Sequence, residues 1–515
     1  MINVQVKTKV FMLMFIYLAS AYADDVLPLV SGNIIDQENG ESLPYAKVSI
    51  KETNRITTAN QDGSFTMLNI PAGSILIVNK LGYKGKEIAI DQNSKFLTIY
   101  LNKQLSNNSI EEIIVLGGSN SNMEQLSGIS QLSVSPELTR SLPNLGEQDI
   151  FRSLQLLPGV SGSNESSSGL AVRGGTIDQN LVLFDDFTVY HVDHVFGYFS
   201  AFNTNAIKDV QLYKGGFGAK YGGRLSSVVD ITGKDGNTEQ SNIGVNWSLL
   251  STNALYEQPF ADGAGSLILT GRRSYQSDFY DDILESITGS NQNAQTGTSS
   301  PGQFALGRFT TEPESYFYDV NAKLTYRFPN NDKFTISFYN GADELDNSRN
   351  VEGDVNLDLL CDILGGNGPF GGQFCEEDEF SFAVDTVDLS EWGNTGISAK
   401  FLHSWNERLD TNFIISGSTY FSYRDRLIDS QVVYDESSDD PTTGQTSSNE
   451  DNKLNDLALK IENDFYLNQW NLLSFGLQIN QQNIDFSLIQ NDELILENEN
   501  EAITSSDRKS GSAGM

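Results

Sequence analysis

The chain has 515 residues, with 33 Lys+Arg against 68 Asp+Glu and a formal net charge of −35. At 38% hydrophobic and 10% aromatic residues it can bury real cores, and it is too long for one ordinary domain. So acidic a chain, with no basic stripe, repels phosphate backbones, which excludes nucleic-acid binding.

The N-terminus reads as an address. Lys7 and Lys9 precede the apolar run VFMLMFIYLA, and Ala21 and Ala23 place small residues before an expected cut that starts the mature chain at Asp24. The run is about half of the ~20 residues that a spanning helix needs. No Cys follows the cut, so lipid attachment is excluded, and no later segment reaches the ~18 continuous apolar residues of a membrane helix, so any membrane entry is by strands. Residues 30–103 carry short alternating strands cut by Asn39-Gly40, Asp62-Gly63, Ala72-Gly73 and Gly82, the pattern of a small all-β sandwich. The order Gly32-x-Ile34-x-Asp36, Leu43-Pro44-Tyr45-Ala46, Asp62-Gly63-x-Phe65, Ile70-Pro71-Ala72-Gly73 and Leu81-Gly82-Tyr83 resembles the carboxypeptidase-regulatory-like sandwich domain, which implies a non-catalytic module.

Residues 104–122 turn polar and small around Ile113, Ile114, Val115 and Leu116. Two readings stand: a tethered strand suited to the sheet edge of another protein, and a linker whose apolar residues dock on a neighbour. Residues 123–236 form an α/β piece. Ile150, Phe151, Leu154 and Leu157 fall at helical spacing before Pro158-Gly159, and LVLFDD, VQLYKG and SSVVDI read as strands.

From 237 to 515 the texture changes to two-faced strands. Val320, Ala322, Leu324, Tyr326 and Phe328 alternate with Asn321, Lys323, Thr325 and Arg327; Phe334, Ile336 and Phe338 alternate with Thr335, Ser337 and Tyr339. Lys460, Glu462 and Asp464 mark a polar face, and Leu473, Phe475, Leu477 and Ile479 an apolar one. Short turns (PNNDK, NERLD, NQW) alternate with polar insertions near 281–314, 343–392 and 430–452, and Tyr318, Trp392, Trp405, Tyr423, Phe465 and Trp470 are expected toward strand ends as an aromatic belt. That is the pattern of an outer-membrane barrel, with about nine strands present. Cys361 and Cys375 flank a Gly-rich stretch and are expected to form one loop disulfide in an exported chain. With His403 as the only histidine in this region, ligands for zinc are too few.

The stretch GLAVRGGTIDQNLVLFDD, 169–186, raises a nucleotide loop, an RNA-binding Arg-Gly-Gly patch, an acid/base pair or scaffolding, and the first three fail. GGFGAKYGGR lacks the Gly-Lys-Ser/Thr ending of a phosphate loop, Gly216-x-Gly218 lacks the third glycine of a dinucleotide fingerprint, and a lone Arg-Gly-Gly does not overcome the acidic charge. Asp185 and Asp186 are adjacent, so on a strand they point to opposite faces and do not converge as an acid/base pair without a bend. His191, Asp193 and His194 suggest a metal site, but a turn histidine is the commoner explanation.

The ordering QLLPGV followed by residues 170–231 resembles the plug domain of TonB-dependent outer-membrane receptors that bear an N-terminal carboxypeptidase-regulatory-like domain. By position, Arg173, Gly174, Gly175, Asp178, Gln179 and Asn180 match the family's Arg-Gly-Gly turn, Asp185 its strand-end acid, and Tyr221, Gly222, Gly223 and Arg224 its closing Tyr-Gly-Gly-Arg. Glu111, Glu112, Ile113, Ile114, Val115 and Leu116 look like the TonB-box-like contact. Asp186 stands where a Gly is usual, and Lys220 where an Arg is common. The resemblance implies a mostly β chain: leader 1–23, sandwich 30–103, linker 104–122, plug 123–236, and at 237–515 the first part of a 22-stranded antiparallel barrel.

A plug of this size has a radius of gyration of about 13 Å, and only a barrel of about 22 strands has a lumen that such a plug fills. Nine strands do not close that barrel, so the expectation is a chain incomplete at its C-terminus. The function implied is energy-coupled import of a scarce ligand; the partners are the TonB protein, outer-membrane lipid, the imported ligand and an accessory surface lipoprotein, with no catalytic residues, metal or cofactor. A non-transporting receptor or adhesin is the alternative. The acidic insertion containing Glu376, Glu377, Asp378 and Glu379 fits a cationic or metal-chelate ligand or, more simply, a solvated surface bridged to lipopolysaccharide by divalent ions.

Overall fold

The computed structural model describes residues 29–71, 73–91, 95–104, 130–134, 148–162, 169–197, 199–248, 250–275, 308–311, 314–356, 379–433, 442–468, 471–495 and 508–509. The leader, residues 111–116, Cys361, Cys375, Glu376–Asp378 and Trp470 lie outside them. The chain divides into two compact units, one built mainly on the N-terminal sandwich and the other on the plug region with most of the strands that follow.

In the first unit, a three-stranded sheet sets Leu29–Asp36 between Ser64–Leu68 (antiparallel) and Phe96–Leu101 (parallel), and a four-stranded sheet runs Ile56–Thr58, Lys47–Ile50, Ile75–Asn79, Lys86–Ala89. The alternating residues of each strand supply one core, including Ile34, Val48, Phe65, Leu76, Val78 and Ile99. The expected turns form as the residue types dictate: Gly40 and Gly63 take φ of 70° and 77°, where a Cβ is penalised.

In the second unit, a five-stranded mixed sheet runs Phe187–Thr188, Leu181–Phe184, Val228–Gly233, Ile207–Tyr213, Gln131–Val134. Leu181–Phe184 and Val228–Gly233 are parallel, and the remaining pairs are antiparallel. The predicted helix is Ile150–Gln155, capped by Asp149, whose side chain accepts from the Arg152 N–H at 3.1 Å. It buries Ile150, Phe151 and Leu154 against the sheet, with Leu157 joining the same core just beyond it. The strand Gln131–Val134 is not legible in the sequence. Four residues alternating polar and apolar carry no distinctive signal, and its Ser133 is held by Asp209 and Gln211 in a buried polar network.

The wall follows. Among the described residues, nine successive strands pair in chain order: Asn242–Trp247, Ser251–Phe260, Gly265–Ser274, Glu314–Arg327, Lys333–Asp346, Glu379–Asn406, Leu409–Val433, Thr442–Asn468 and Asn471–Ile495, with the two-residue strand Arg508–Lys509 added at the end. Their burial is inverted relative to a soluble sheet. Along Glu314–Arg327 the polar Asn321, Lys323 and Thr325 are buried, while Val320 is exposed and Ala322 and Leu324 are partly so. Ser337 and Tyr339 are buried beside an exposed Ile336.

Two expectations are corrected here. The regions 343–392 and 430–452 are not simply loop: Arg349–Asn356 pairs with residues 379–386, and Thr442–Asn468 starts inside the second of them. Strand Glu379–Asn406 has 28 residues and spans about 90 Å at roughly 3.3 Å per residue, far more than a barrel's ~25 Å apolar band. Where both faces are polar, alternation gives no signal and a strand reads as loop. Trp392 is not a belt residue, since it is buried in mid-strand with its ring edge toward His191 at 5.7 Å; Trp405, 58% exposed near a strand end, is placed as expected.

Candidate functional site

The Arg-Gly-Gly turn, the following Asp-Gln-Asn and the Tyr-Gly-Gly-Arg segment meet on one side of the mixed sheet. Arg173 takes φ of 50° and donates to Ser130 Oγ at 2.8 Å. Gly175 is required because a Cβ there would stand 2.4 Å from Ser226 Oγ. Asp178 accepts from Thr176 Oγ1, and the Gln179 carbonyl accepts from the N–H groups of Leu225 and Ser226 at 3.2 and 3.0 Å. Asn180 donates to the Leu170 carbonyl and accepts from Ser227 Oγ at 2.7 Å. Tyr221 donates to Asp230 at 2.7 Å, and Gly222, Gly223 and Arg224 continue as an accessible turn, Gly223 at φ of 80°. These side chains spend their hydrogen bonds on neighbouring backbone and on Ser130, Thr176, Ser227 and Asp230, which fixes the turns.

Asp185 and Asp186 do not lie on a strand. They are the two central residues of a hairpin turn between the paired Phe184 and Phe187, at φ of 41° and 75°. Asp and Asn tolerate this region better than most residues, which is how Asp186 replaces the usual glycine. The bend does not bring the carboxylates to one task, because each finds its own cation on the wall. Lys323 Nζ donates to Asp185 Oδ1 at 3.1 Å, and Ser337 Oγ donates to Oδ2 at 2.7 Å. Asp186 pairs with Lys400 at 3.4 Å, and its carbonyl accepts from Lys460 Nζ at 3.2 Å. Burial opposes charge on Asp186, yet Lys400, Lys460 and Lys220 overcome it and hold the carboxyl down at about 2.

Residues the sequence reading had not assigned complete the seam. Asp235 is paired with Lys333 and Lys323 of the wall, both at 3.2 Å, and burial notwithstanding these lysines and Lys208 hold its carboxyl well below the usual range. His194 is buried, not a turn histidine: Nδ1 lies 2.5 Å from Asp343 and Nε2 2.8 Å from Asp319, so the ring is a doubly protonated donor. Burial alone lowers its affinity for the proton, but the two carboxylates reverse this and push its pKa up to about 9. Arg272 Nε donates to Asp319 at 2.6 Å, the Phe317 ring stacks on His194 at 4.4 Å, and Tyr339 donates to the Ala201 carbonyl at 2.8 Å from within the plug's own core cluster. With both ring nitrogens committed, His194 is no metal ligand, and among the described residues no group of three His, Cys, Asp or Glu could hold a metal ion. Asn394 clamps the chain at 190–191, accepting from the Tyr190 and His191 N–H groups at 3.1 and 3.2 Å and donating to the His191 carbonyl at 2.7 Å. None of these wall residues carries a sequence signature beyond lying on the polar face of its strand.

The geometry agrees with the comparisons. The CarboxypepD_reg-like domain description matches residues 30–115 and the TonB-dependent Receptor Plug Domain description matches 134–229. The chain therefore carries a carboxypeptidase-regulatory-like domain followed by a TonB-dependent receptor plug domain. TonB-dependent receptor P3 of Formosa agariphila is 28% identical over 178 residues, which is 34% of this chain and 17% of that protein's length. Among solved structures, a mutant of the ferric enterobactin receptor PfeA of Pseudomonas aeruginosa (13% identity, 70% of this chain, 60% of that chain, TM-score 0.38) and the siderophore receptor PirA of Acinetobacter baumannii (13%, 72%, 59%, TM-score 0.33) are similar.

Proposed function

We propose that this chain acts as a TonB-dependent outer-membrane receptor: it holds a plug against the polar face of a membrane-spanning β-wall, binds a scarce ligand, and imports it when the TonB complex pulls on the segment Glu111–Leu116. The carrying observation is the inverted burial of the wall. A sheet that buries lysines, aspartates and serines against a folded domain, and leaves valine, leucine and isoleucine outside, fits lipid on one side and a filled lumen on the other. The short turns then lie on the periplasmic side and the long strand extensions outside the cell. Neither the scaffold motif nor the seam offers a nucleophile with a base, so the reading is transport rather than catalysis.

Deleting 111–117 in the full-length receptor tests the coupling. Uptake and growth on the limiting nutrient are lost while surface binding persists. Growth equal to that of the intact receptor would favour a non-transporting surface protein.

A further inference from the structure

The face of the wall that points away from the plug changes its chemistry in layers. Along Glu379–Asn406, Leu409–Val433 and Thr442–Asn468, Asn394, Ser418, Asp456 and Lys460 are buried toward the plug, and Ile397, Ile415, Leu457 and Leu459 are exposed on the opposite face. In Asn471–Ile495 that outward face carries the exposed Leu477 and Ile479. One step of two residues further, every one of these strands leaves the apolar pattern. Thr395 lies beyond Ile397, Gly417 and Thr419 beyond Ile415, Asn455 beyond Leu457, and Gln481 and Asn483 beyond Ile479. Past them on the same face come the exposed Glu391, Lys453 and Asp485 and the ring of Tyr423. The outward face thus passes from apolar, through uncharged amides and hydroxyls, to charge.

The middle layer is dented. Thr395, Gly417, Thr419, Asn455, Gln481 and Asn483 line a cavity of about 350 Å³, with Ile397 and Leu457 on its apolar side. That is within the size of small-molecule sites, roughly 300–1,000 Å³. Gly417 makes the room: a Cβ there would stand 3.7 Å from the Asp456 carbonyl oxygen and 3.9 Å from Leu457 Cδ1, ordinary contacts, so a larger side chain fills the dent without a backbone shift. Asn340 donates to Thr395 at 2.8 Å and Thr419 donates to Asn455 Oδ1 at 3.0 Å, which fixes the rim and leaves the Asn455 amide nitrogen to donate elsewhere. No basic residue is among those that line the cavity, and its one acid, Asp456, turns its carboxylate to Tyr190 of the plug. Amides and hydroxyls set against hydrocarbon alone are costly, so this layer calls for a polar occupant.

We propose that the dent binds the sugar headgroup of an outer-leaflet glycolipid, lipopolysaccharide: the amides and hydroxyls meet the ring hydroxyls, and the acyl chains lie along Ile397, Leu457 and Ile479. The order of the layers selects this occupant. A diffusing sugar has no use for the apolar step beneath it, a phospholipid brings a phosphate to a cavity without a cation, and a glycolipid matches both layers. The site lies on the face opposite the plug, so it is separate from any site for imported cargo. The proposal rests on the reading of the wall as membrane-spanning.

The full-length receptor, extracted from its host's outer membrane and washed in detergent, is read by native mass spectrometry for retained lipid, with heat-modifiable gel mobility as the check that each variant is folded. The wild type retains lipopolysaccharide. Gly417→Leu lowers retention several-fold, Asn455→Leu does the same without adding bulk at the glycine, and Ala254→Leu, on the outward face but outside the dent, leaves it unchanged. Glucose does not displace the bound lipid. Equal retention by the wild type and folded Asn455→Leu overturns the site, as does an equal loss in Ala254→Leu, which marks a general lipid annulus. Retained phosphatidylethanolamine in place of lipopolysaccharide overturns the sugar, displacement by glucose overturns the lipid, and a retained polypeptide makes the dent a protein interface instead. Quenching of Trp405 by brominated lipid separates this from the parent reading. Without quenching the membrane wall itself falls, whereas quenching with no retained lipopolysaccharide sinks only the glycolipid site.

Discussion

The charge of His194 keeps Asp319 and Asp343 compatible beside one Arg272. Its pKa is pushed up from 6.5 to about 9, so the protonated form carries the stabilisation: fully present below about pH 6.5, declining above it, and lost as pH rises through about 9. The full effect is on the order of 3 kcal/mol. Amide exchange across residues 192–201, corrected for intrinsic rates, should accelerate over that window in the wild type. In His194→Gln it should be fast and pH-independent there, since removing one partner of a buried pair costs about 3–5 kcal/mol. Asp186 has the opposite sign. Its contribution is present above about pH 4 and lost as pH falls through about 2, so Asp186→Asn should loosen the hairpin at neutral pH and remove that acid transition.

At the scale of elements, the hairpin turn at 185–186 docks against wall strands whose small residues leave room for it. A Cβ on Gly396 would stand 2.2 Å from the Phe187 ring, so Gly396→Val should unseat this corner of the plug by about 1–3 kcal/mol. Limited proteolysis of the folded receptor would show new cleavage in the plug, and an unchanged digestion pattern would contradict the docking. The helix and three plug strands were legible because apolar residues recur at the right period. Gln131–Val134 was not, because its pairing with Ile207–Tyr213 is satisfied by backbone and a buried polar network rather than by an apolar face. The same logic explains why the outward extensions of the wall strands read as insertions.

For the molecule as a whole, inverted burial makes the tryptophans a direct probe. Trp405 is 58% exposed and Trp392 8%. In brominated-lipid bilayers, Trp405→Phe should remove a clear share of the quenching and Trp392→Phe almost none. Quenching lost equally on both substitutions would mean that the apolar face does not meet lipid.

The sequence alone determined the order of modules, the two-faced wall strands, the helix at 150–155 and the turn glycines, because each depends on neighbours within a few residues. It also carried the plug motif, most of whose residues bond within the plug itself, to Ser130, Ser227 and Asp230. Only the tertiary structure decided what the seam is made of. Lys323, Asp343 and Asn394 differ from any other polar residue on a strand only by what stands opposite them, and that partner is 138 to 204 residues away. Whether a polar alternation faces water or a buried plug, and whether His194 is a loop histidine or a buried cation, is set by the partner's charge and by the exclusion of water, and neither is written in the local chain.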